Sequence, residues 1–494
     1  MERNFLSNQN SFCDDFAMSR LASTLVLIAI WAVTYLTNLG ASEFRSEEGH
    51  RVMPAVQMLD SGNYLIPYVG TEPYLRKPPL ANWLVAGSFK LFGVRNEWTA
   101  RLPSALFVLS VALMLRLFAG PTLGGFGSTV AALCWLTNLG LIEKGRMIEI
   151  EAIYVSLFGF AFFLWLILWQ GNRSPWLTLV VPWIFLGVGM LAKGPAHIIF
   201  FYVLICAVLL KNHRLADLAQ PAHFVGVLCT AGIFAAWLVP CLHELQESPM
   251  QIWARETAIA VYGEKASSTN WWLNFPRGFV YFLPWLLLLP FIRFHKIPDP
   301  VQRETVRGLT LGSTLLFVIV LLIPGTLPRY ILPLMVPFCW IIGVACANNA
   351  FEWRLRFKDF TLLVPGRLIG VCIAIGIVAA MIIFPLRSVT YFKRHERIKP
   401  VAARINAAVP PDRPLYAVNL SFLPYLFYVR SPVTYLEKLD ELPPDARYFL
   451  VPPSYQRRIT RSARLAHARP IVWTPTYPPT FRGGESILFV ISEF

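Results

Sequence analysis

Residues 146–169 read RMIEIEAIYVSLFGFAFFLWLILW. Arg146, Glu149 and Glu151 stand at the start of this stretch, and the 18 residues from Ala152 to Trp169 carry no charge. A helix that crosses hydrocarbon needs about 20 predominantly apolar residues. The stretch therefore reads as a membrane span whose first turn carries carboxylates. Comparable apolar runs lie near 21–40, 98–117, 124–142, 175–192, 195–210, 222–242, 277–292, 308–324, 329–348 and 366–385. Together they predict about eleven transmembrane helices. Alternation of apolar and polar residues, the mark of a membrane β-barrel, does not occur in these runs.

Composition agrees with this reading. Of 494 residues, 55% are hydrophobic and only 15% charged, against about 25% charged in soluble domains. Disorder is excluded because it requires low hydrophobicity. The net charge is +15, and no nucleic-acid module accompanies it. In a membrane chain such an excess points to cytoplasmic anchoring loops and to anionic lipid or phosphate partners. Six of the eight cysteines lie inside apolar runs, where a thiol behaves as a small hydrophobe. No Cys-x-x-Cys occurs, so neither zinc nor redox chemistry is indicated.

The polar residues 1–20 read as a cytoplasmic tail, and 21–40 as a retained signal anchor. With that orientation the loops holding Lys211/Arg214, Arg293/Lys296 and Arg354/Arg356/Lys358 are all cytoplasmic, as the positive-inside rule requires. The odd number of spans then puts the C-terminal region outside. The expected organisation is a transmembrane core over 21–385, with long outer loops at 42–97 and 243–276, followed by a small extracytoplasmic α/β domain over 386–494. In that domain Pro414–Val418, Arg447–Val451 and Ile487–Ile491 have strand character, and Ile398–Ala408 helical character. Within the first outer loop Val52, Ala55, Val56 and Leu59 follow the spacing of an amphipathic helix. A second apolar helical stretch runs from Pro79 to Phe92. Both are expected to lie at the membrane surface.

Acidic residues are scarce, yet Glu43, Glu47 and Glu48 cluster after the first span, and Glu149 and Glu151 open the fourth. Both groups fall on the expected outer face, where ionised groups beside hydrocarbon are functional or paired. The alternative is a set of interfacial carboxylates neutralised by Arg45, Arg51 or Arg146. Cations share that face: Arg76 and Lys77 in the stretch beginning at Tyr74, Lys193 after the fifth span, and Arg329-Tyr330 opening the tenth. Arg and Lys so placed can hold a phosphate or simply snorkel to headgroups. His50 is a further candidate for the site, or a partner for an interfacial Glu. Carboxylates with phosphate-binding cations at one membrane face suggest a phosphate leaving group and a carboxylate base.

At these residues the chain resembles the membrane glycosyltransferases of the GT-C class, among them the bacterial aminoarabinose lipid A transferases and, more distantly, the protein O-mannosyltransferases. The resemblance rests on Glu47-Glu48, on Met58-Leu59-Asp60-Ser61-Gly62, and on Tyr74-Leu75-Arg76-Lys77-Pro78-Pro79-Leu80-Ala81-Asn82-Trp83. It continues through Ala100-Arg101-Leu102-Pro103-Ser104, Ala192-Lys193-Gly194-Pro195, Phe282-Leu283-Pro284-Trp285 and Arg329-Tyr330-Ile331-Leu332-Pro333. These short motifs follow the family's order over roughly residues 40–345.

The resemblance implies a GT-C fold: a polytopic helical core, two outer juxtamembrane helices and an outer soluble domain. It also implies inverting transfer of a sugar from a polyprenyl phosphate, undecaprenyl phosphate in bacteria, at the outer face of the inner membrane. The acceptor it implies is a glycolipid such as lipid A, a glycan or a protein. Glu47, with Glu48 beside it, takes the place of the family's catalytic Asp, and Glu151 that of its second-loop Asp. Lys77 takes the place of the lysine that contacts the donor phosphate. Arg76, Arg255 and Arg329 are implied as further phosphate contacts, with Tyr74, Lys193, Tyr330, Arg146 and His50 as pocket residues. Three departures stand out. Both aspartates are glutamates, and Arg76 replaces a metal-binding Glu, so neither a metal nor another cofactor is expected. In the second long loop only Arg255-Glu256 is present, and the expected downstream Arg is Ala260. Two other readings fit parts of the pattern. A lipid-sugar flippase would want midplane charges and repeat symmetry, and neither is visible. An inactive family member acting as a binding subunit would fit the double Asp-to-Glu change.

Overall fold

The computed structural model describes residues 19–44, 46–245, 251, 253–254, 271–323, 326–352, 354–356, 361–363, 374–378, 381–382, 386, 398–420, 423–462, 464–465, 467–474 and 486–491. The chain forms two compact units. The first comprises Met1–Leu39, Arg76–Leu80 and Leu102–Leu386, and the second Gly40–Leu75, Ala81–Arg101 and Arg387–Phe494.

In the first unit, Ser19 caps the opening helix Arg20–Trp31 by accepting the Ala22 N–H at 3.1 Å. A π-helical turn, Ala32–Leu36, ends it. There the Arg146 guanidinium donates to the carbonyls of Thr34, Tyr35 and Thr37 at 2.5, 3.1 and 2.6 Å. These are C-terminal carbonyls that the helix itself cannot satisfy, and a cation suits the negative end of the helix dipole. Among the described residues six helices are long and apolar enough to cross a membrane: Glu97–Phe118, Ile150–Gln170, Pro175–Lys193, Pro221–Glu244, Pro300–Leu322 and the segment Pro328–Ala347. Arg20–Leu36 and Ala196–Lys211 are shorter apolar helices. Small residues let the helices meet closely, as is usual where no water drives packing. A Cβ on Gly226 would fall 2.1 Å from the Leu179 carbonyl oxygen, and one on Gly127 2.9 Å from that of Gly343.

Two of the expected spans are not straight. The run 124–142 is a bent pair, Gly120–Thr137 and Leu139–Gly145, turned by 58° at Asn138. The run 277–292 is not one α-helix: Asn274–Val280 ends, and a 3₁₀ segment Trp285–Phe291 follows. Pro284 and Pro290 remove the donors that a continuous helix would need. The two breaks complete each other. Leu139 and Gly140 N–H donate to the carbonyls of Leu283 and Tyr281, both at 3.0 Å, and Trp285 Nε1–H donates to Thr137 Oγ1 at 2.8 Å. Backbone freed inside a membrane protein must be re-satisfied in this way. Most of the expected span at 366–385 lies outside the described residues.

The second unit is built on a five-stranded mixed sheet in the spatial order Val433–Leu436, Leu415–Val418, Tyr448–Val451, Ser486–Ile491, Ala468–Thr474. The first three strands are parallel and the last two antiparallel to their neighbours. Alternation divides the sheet between two cores. Leu415, Ala417, Leu450 and Leu488 enter one, beside Ile405 of the helix Lys399–Ala408. Tyr416, Val418, Phe449, Val451, Ile487 and Phe489 enter the other, beside Ile459 of Gln456–Arg461. The three inner strands and the helix were legible in the sequence. The two edge strands were not, because they mix polar and apolar residues without clean alternation.

The helix Ser46–Ser61, in the first of the loops expected to be outer, belongs to this unit. Its buried face is Val52, Met53, Ala55 and Met58, shifted from the expected Val52, Ala55, Val56 and Leu59. Met53 packs into the sheet core with Ile398, Leu423 and Tyr425, so part of the apolar face is covered by protein rather than lipid.

Candidate active site

The candidate residues fall into two constellations. In the first unit, four segment ends converge: the end of Leu139–Gly145, the start of Ile150–Gln170, the end of Pro175–Lys193 and the start of Pro328–Leu334. Glu151 lies in the first turn of its helix, where the dipole favours an anion. Its Oε1 accepts from Lys193 Nζ at 3.2 Å, and Arg329 Nε stands 3.2 Å from the same oxygen. The Lys193 ammonium also sits 4.8 Å from the Tyr330 ring centre and 5.3 Å from that of Tyr154, within cation–π range. Next to this group, Lys144 Nζ lies 2.8 Å from both Glu143 and Glu149. Three carboxylates thus face three cations with a formal sum of zero. Burial and the neighbouring Glu151 push the Glu149 carboxyl above the ordinary carboxylate range, outweighing Lys144 and Arg329.

The second unit holds the other carboxylates. Glu48 is fully buried and forms a two-pronged pair with Arg101: Nε to Oε1 and Nη2 to Oε2, both 2.8 Å. Arg101 spends its remaining donors on Ser42 O, Ser42 Oγ and Glu43 O at 3.0, 3.2 and 3.0 Å. Glu43 Oε2 accepts the backbone N–H groups of Ile398 and Lys399 at 2.5 and 3.0 Å, at the start of the helix Lys399–Ala408. Glu97 takes Lys399 at 2.6 Å and the Tyr428 hydroxyl at 3.0 Å. Glu47, by contrast, is exposed in the first turn of Ser46–Ser61. His50 lies against the Tyr74 ring at 5.2 Å, and Arg51 donates to the Tyr74 hydroxyl at 2.9 Å.

The structure therefore sorts the expected residues. It brings together Glu151, Lys193, Arg329 and Tyr330. It groups His50 with Tyr74. It gives Glu48 to Arg101 as a structural pair, and Arg146 to the end of the first helix, so neither side chain is open for substrate. Arg76 and Lys77 sit half-buried on the turn before the helix Leu80–Phe92. Arg255 lies outside the described residues. Lys144, Tyr154 and Arg101 join these networks although the sequence did not single them out as site residues. For Arg101 the signal was its place in Ala100-Arg101-Leu102-Pro103-Ser104. Lys144 and Tyr154 lack such a signal, because their role depends on which helix ends meet. No group of three His, Cys, Asp or Glu side chains able to hold a metal ion exists among the described residues.

Residues 76–239 match the family model described as dolichyl-phosphate-mannose-protein mannosyltransferase. An undecaprenyl phosphate-α-4-amino-4-deoxy-L-arabinose arabinosyl transferase of Pseudomonas savastanoi pv. phaseolicola is 24% identical over 68% of this chain and 64% of its own length. One of its counterparts in Pseudomonas fluorescens is 26% identical over 75% of this chain and 67% of its own length. An uncharacterised protein of Aquifex aeolicus is 24% identical over 63% of this chain and 60% of its own length. The chain thus spans somewhat under two thirds of the length of the first of these curated relatives. In structure it resembles ArnT from Cupriavidus metallidurans bound to undecaprenyl phosphate, with a TM-score of 0.71 and 17% identity over 96% of this chain and 98% of that one. The chain thus shares the fold of that membrane protein along nearly its whole length, and it is similar in sequence to these arabinosyl transferases.

Proposed function

We propose that this chain is an inverting glycosyltransferase that takes a sugar from a polyprenyl phosphate, of the undecaprenyl type named for its relatives. The acceptor is a lipid A-like glycolipid, a glycan or a protein, and the reaction face and C-terminal domain lie outside the bacterial inner membrane. One observation carries the reading. Glu151 is shared by Lys193 and Arg329, under the Tyr330 ring, where span ends converge. Lys193 Nζ and Arg329 Nε both stand 3.2 Å from the same Glu151 oxygen, and an incoming phosphate can replace that shared contact with a stronger one. Lys77, with Arg76 and Arg255, adds positive charge to the phosphate site as the family resemblance assigns.

In this mechanism the acceptor hydroxyl oxygen attacks the anomeric carbon from the face opposite the phosphate. The new carbon–oxygen bond forms as the bond from the anomeric carbon to the phosphate oxygen breaks. The electron pair leaves with the polyprenyl phosphate, and the cations stabilise the growing charge. Glu47, the exposed carboxylate of its pair, takes the hydroxyl proton. Glu151 competes for the same cations and is displaced from them when the donor phosphate arrives. The test is release of undecaprenyl phosphate from metabolically labelled undecaprenyl-phosphate sugars by purified protein in nanodiscs with envelope lipids as acceptor. Wild type should release it, and Glu47→Gln should slow release by about a hundredfold or more with unchanged folding. Full activity of Glu47→Gln would remove Glu47 as the base, and no release by wild type would overturn the reading.

A further inference from the structure

The helix Ile150–Gln170, which carries Glu151 in its first turn, ends in a second polar site, about 27 Å from Glu151 at 1.5 Å per residue. There a cavity of about 150 Å³ opens between the connections 171–174 and 212–220. Its floor is apolar: Trp165 and Trp169, with ring centres 5.5 Å apart and planes within 11°, together with Leu179 and Leu209. Its rim carries Arg173 and Arg214. Asp217 is the one lining carboxylate, and it is already taken. It accepts the Trp169 indole N–H at 3.0 Å and both Arg214 Nε and Nη2, at 3.2 and 3.0 Å. That contact holds the Arg214 guanidinium 5.8 Å from the Trp169 ring centre. Among the described residues the Arg173 guanidinium has no hydrogen-bond or ion-pair partner. Two helices, Pro175–Lys193 and Pro221–Glu244, begin at the wall, with Pro175 and Gln220 lining it, so their positive dipole ends add to the rim.

We propose that this cavity is a binding site for the phosphate headgroup of an anionic phospholipid, on the face opposite the transfer site. The lining sums to one positive charge, which selects an anion. The volume is below the roughly 300 Å³ of sites that enclose a whole small molecule, so it takes a headgroup and leaves the rest outside. Trp176, Leu177, Leu210 and Leu215 are exposed apolar residues on the segments that frame the opening, a surface suited to acyl chains and not to a free nucleotide or phosphate. Basic sites between transmembrane helices on the cytoplasmic side bind acidic headgroups by the same physics, and the loop bearing Lys211 and Arg214 is the side the charge distribution assigns to the cytoplasm.

Native mass spectrometry tests this on the full chain, released from micelles containing phosphatidylglycerol, phosphatidylcholine or inorganic phosphate. Wild type should retain phosphatidylglycerol and not phosphatidylcholine. The R173Q/R214Q variant should retain at least fivefold less phosphatidylglycerol, and R173K/R214K should keep most of it. If the double Gln variant fails to fold, R173Q alone, which breaks no pairing, should still lower retention. Equal retention by wild type and a folded Gln variant would overturn the site. Retention of phosphatidylcholine equal to that of phosphatidylglycerol, or displacement of the lipid by inorganic phosphate, would overturn the anionic-lipid assignment.

Discussion

Glu48 and Glu151 are both buried carboxylates facing arginine, yet their surroundings differ. Glu48 meets Arg101 with two parallel hydrogen bonds, and the remaining guanidinium donors are spent on Ser42 and Glu43. Nothing is left over for a ligand. Glu151 offers one oxygen to both Lys193 and Arg329, each at 3.2 Å. Both cations remain partly accessible, with 16% and 25% of their side chains exposed. Saturation marks a pair that holds structure, while sharing and access mark one whose cations can take another anion. The sign of the charges is the same in both places, so geometry and donor count separate the two roles.

The contrast can be broken by mutation. The largest effect is expected at the saturated pair. Arg101→Met leaves a fully buried Glu48 charge without its partner and should cost about 3–5 kcal/mol of stability, read as a lowered unfolding midpoint in detergent. Arg101→Met with Glu48→Leu should recover much of that loss, since an apolar pair removes the stranded charge. If the single variant is as stable as wild type, the pair is not structural.

At the shared carboxylate the expected order is reversed, with a small change in stability and a larger one in binding. Glu151→Gln removes the anion that competes for Lys193 and Arg329. It should tighten undecaprenyl phosphate binding by about threefold to tenfold, or up to roughly 1.4 kcal/mol, as measured by titration calorimetry. Weaker binding would mean that Glu151 organises the cations instead of competing for them.

The smallest effect concerns Glu149. Its folded-state carboxyl titrates above the unfolded value, because burial and Glu151 disfavour its charge. The folded protein then binds more protons than the unfolded chain in that window, so stability falls as pH rises through it. Glu149→Gln removes this loss, while Lys144 keeps Glu143 at 2.8 Å. The variant should gain a little stability at neutral pH and none below the ordinary carboxylate range. A gain that does not change with pH would contradict the assigned cause.

Much of the architecture was legible because apolar runs and strand alternation are local properties. Ile150–Gln170, Pro175–Lys193 and the three inner strands followed from them directly. What stayed hidden depended on partners far along the chain. The breaks at Asn138 and Pro284 are tolerable only because Leu139 and Gly140 find the carbonyls of Leu283 and Tyr281. Glu47 and Glu48 are neighbours in sequence, but one residue is about 100° around a helix, enough to bury one and expose the other. Arg146 reads as a site cation beside Glu149 and Glu151, yet its reach takes it to the carbonyls that end the first helix. Lys193 and Arg329 were identifiable from their motifs, whereas their meeting on one oxygen required the fold.

On the proposed reading Lys193 and Arg329 receive the donor's phosphate. Titration of undecaprenyl phosphate into the purified protein in nanodiscs tests it without knowledge of the sugar. Wild type should bind, and Lys193→Gln and Arg329→Gln should each weaken binding by about tenfold or more with Arg101–Glu48 and the unfolding midpoint preserved. Equal affinity in wild type and both variants would exclude Lys193 and Arg329 as the phosphate site.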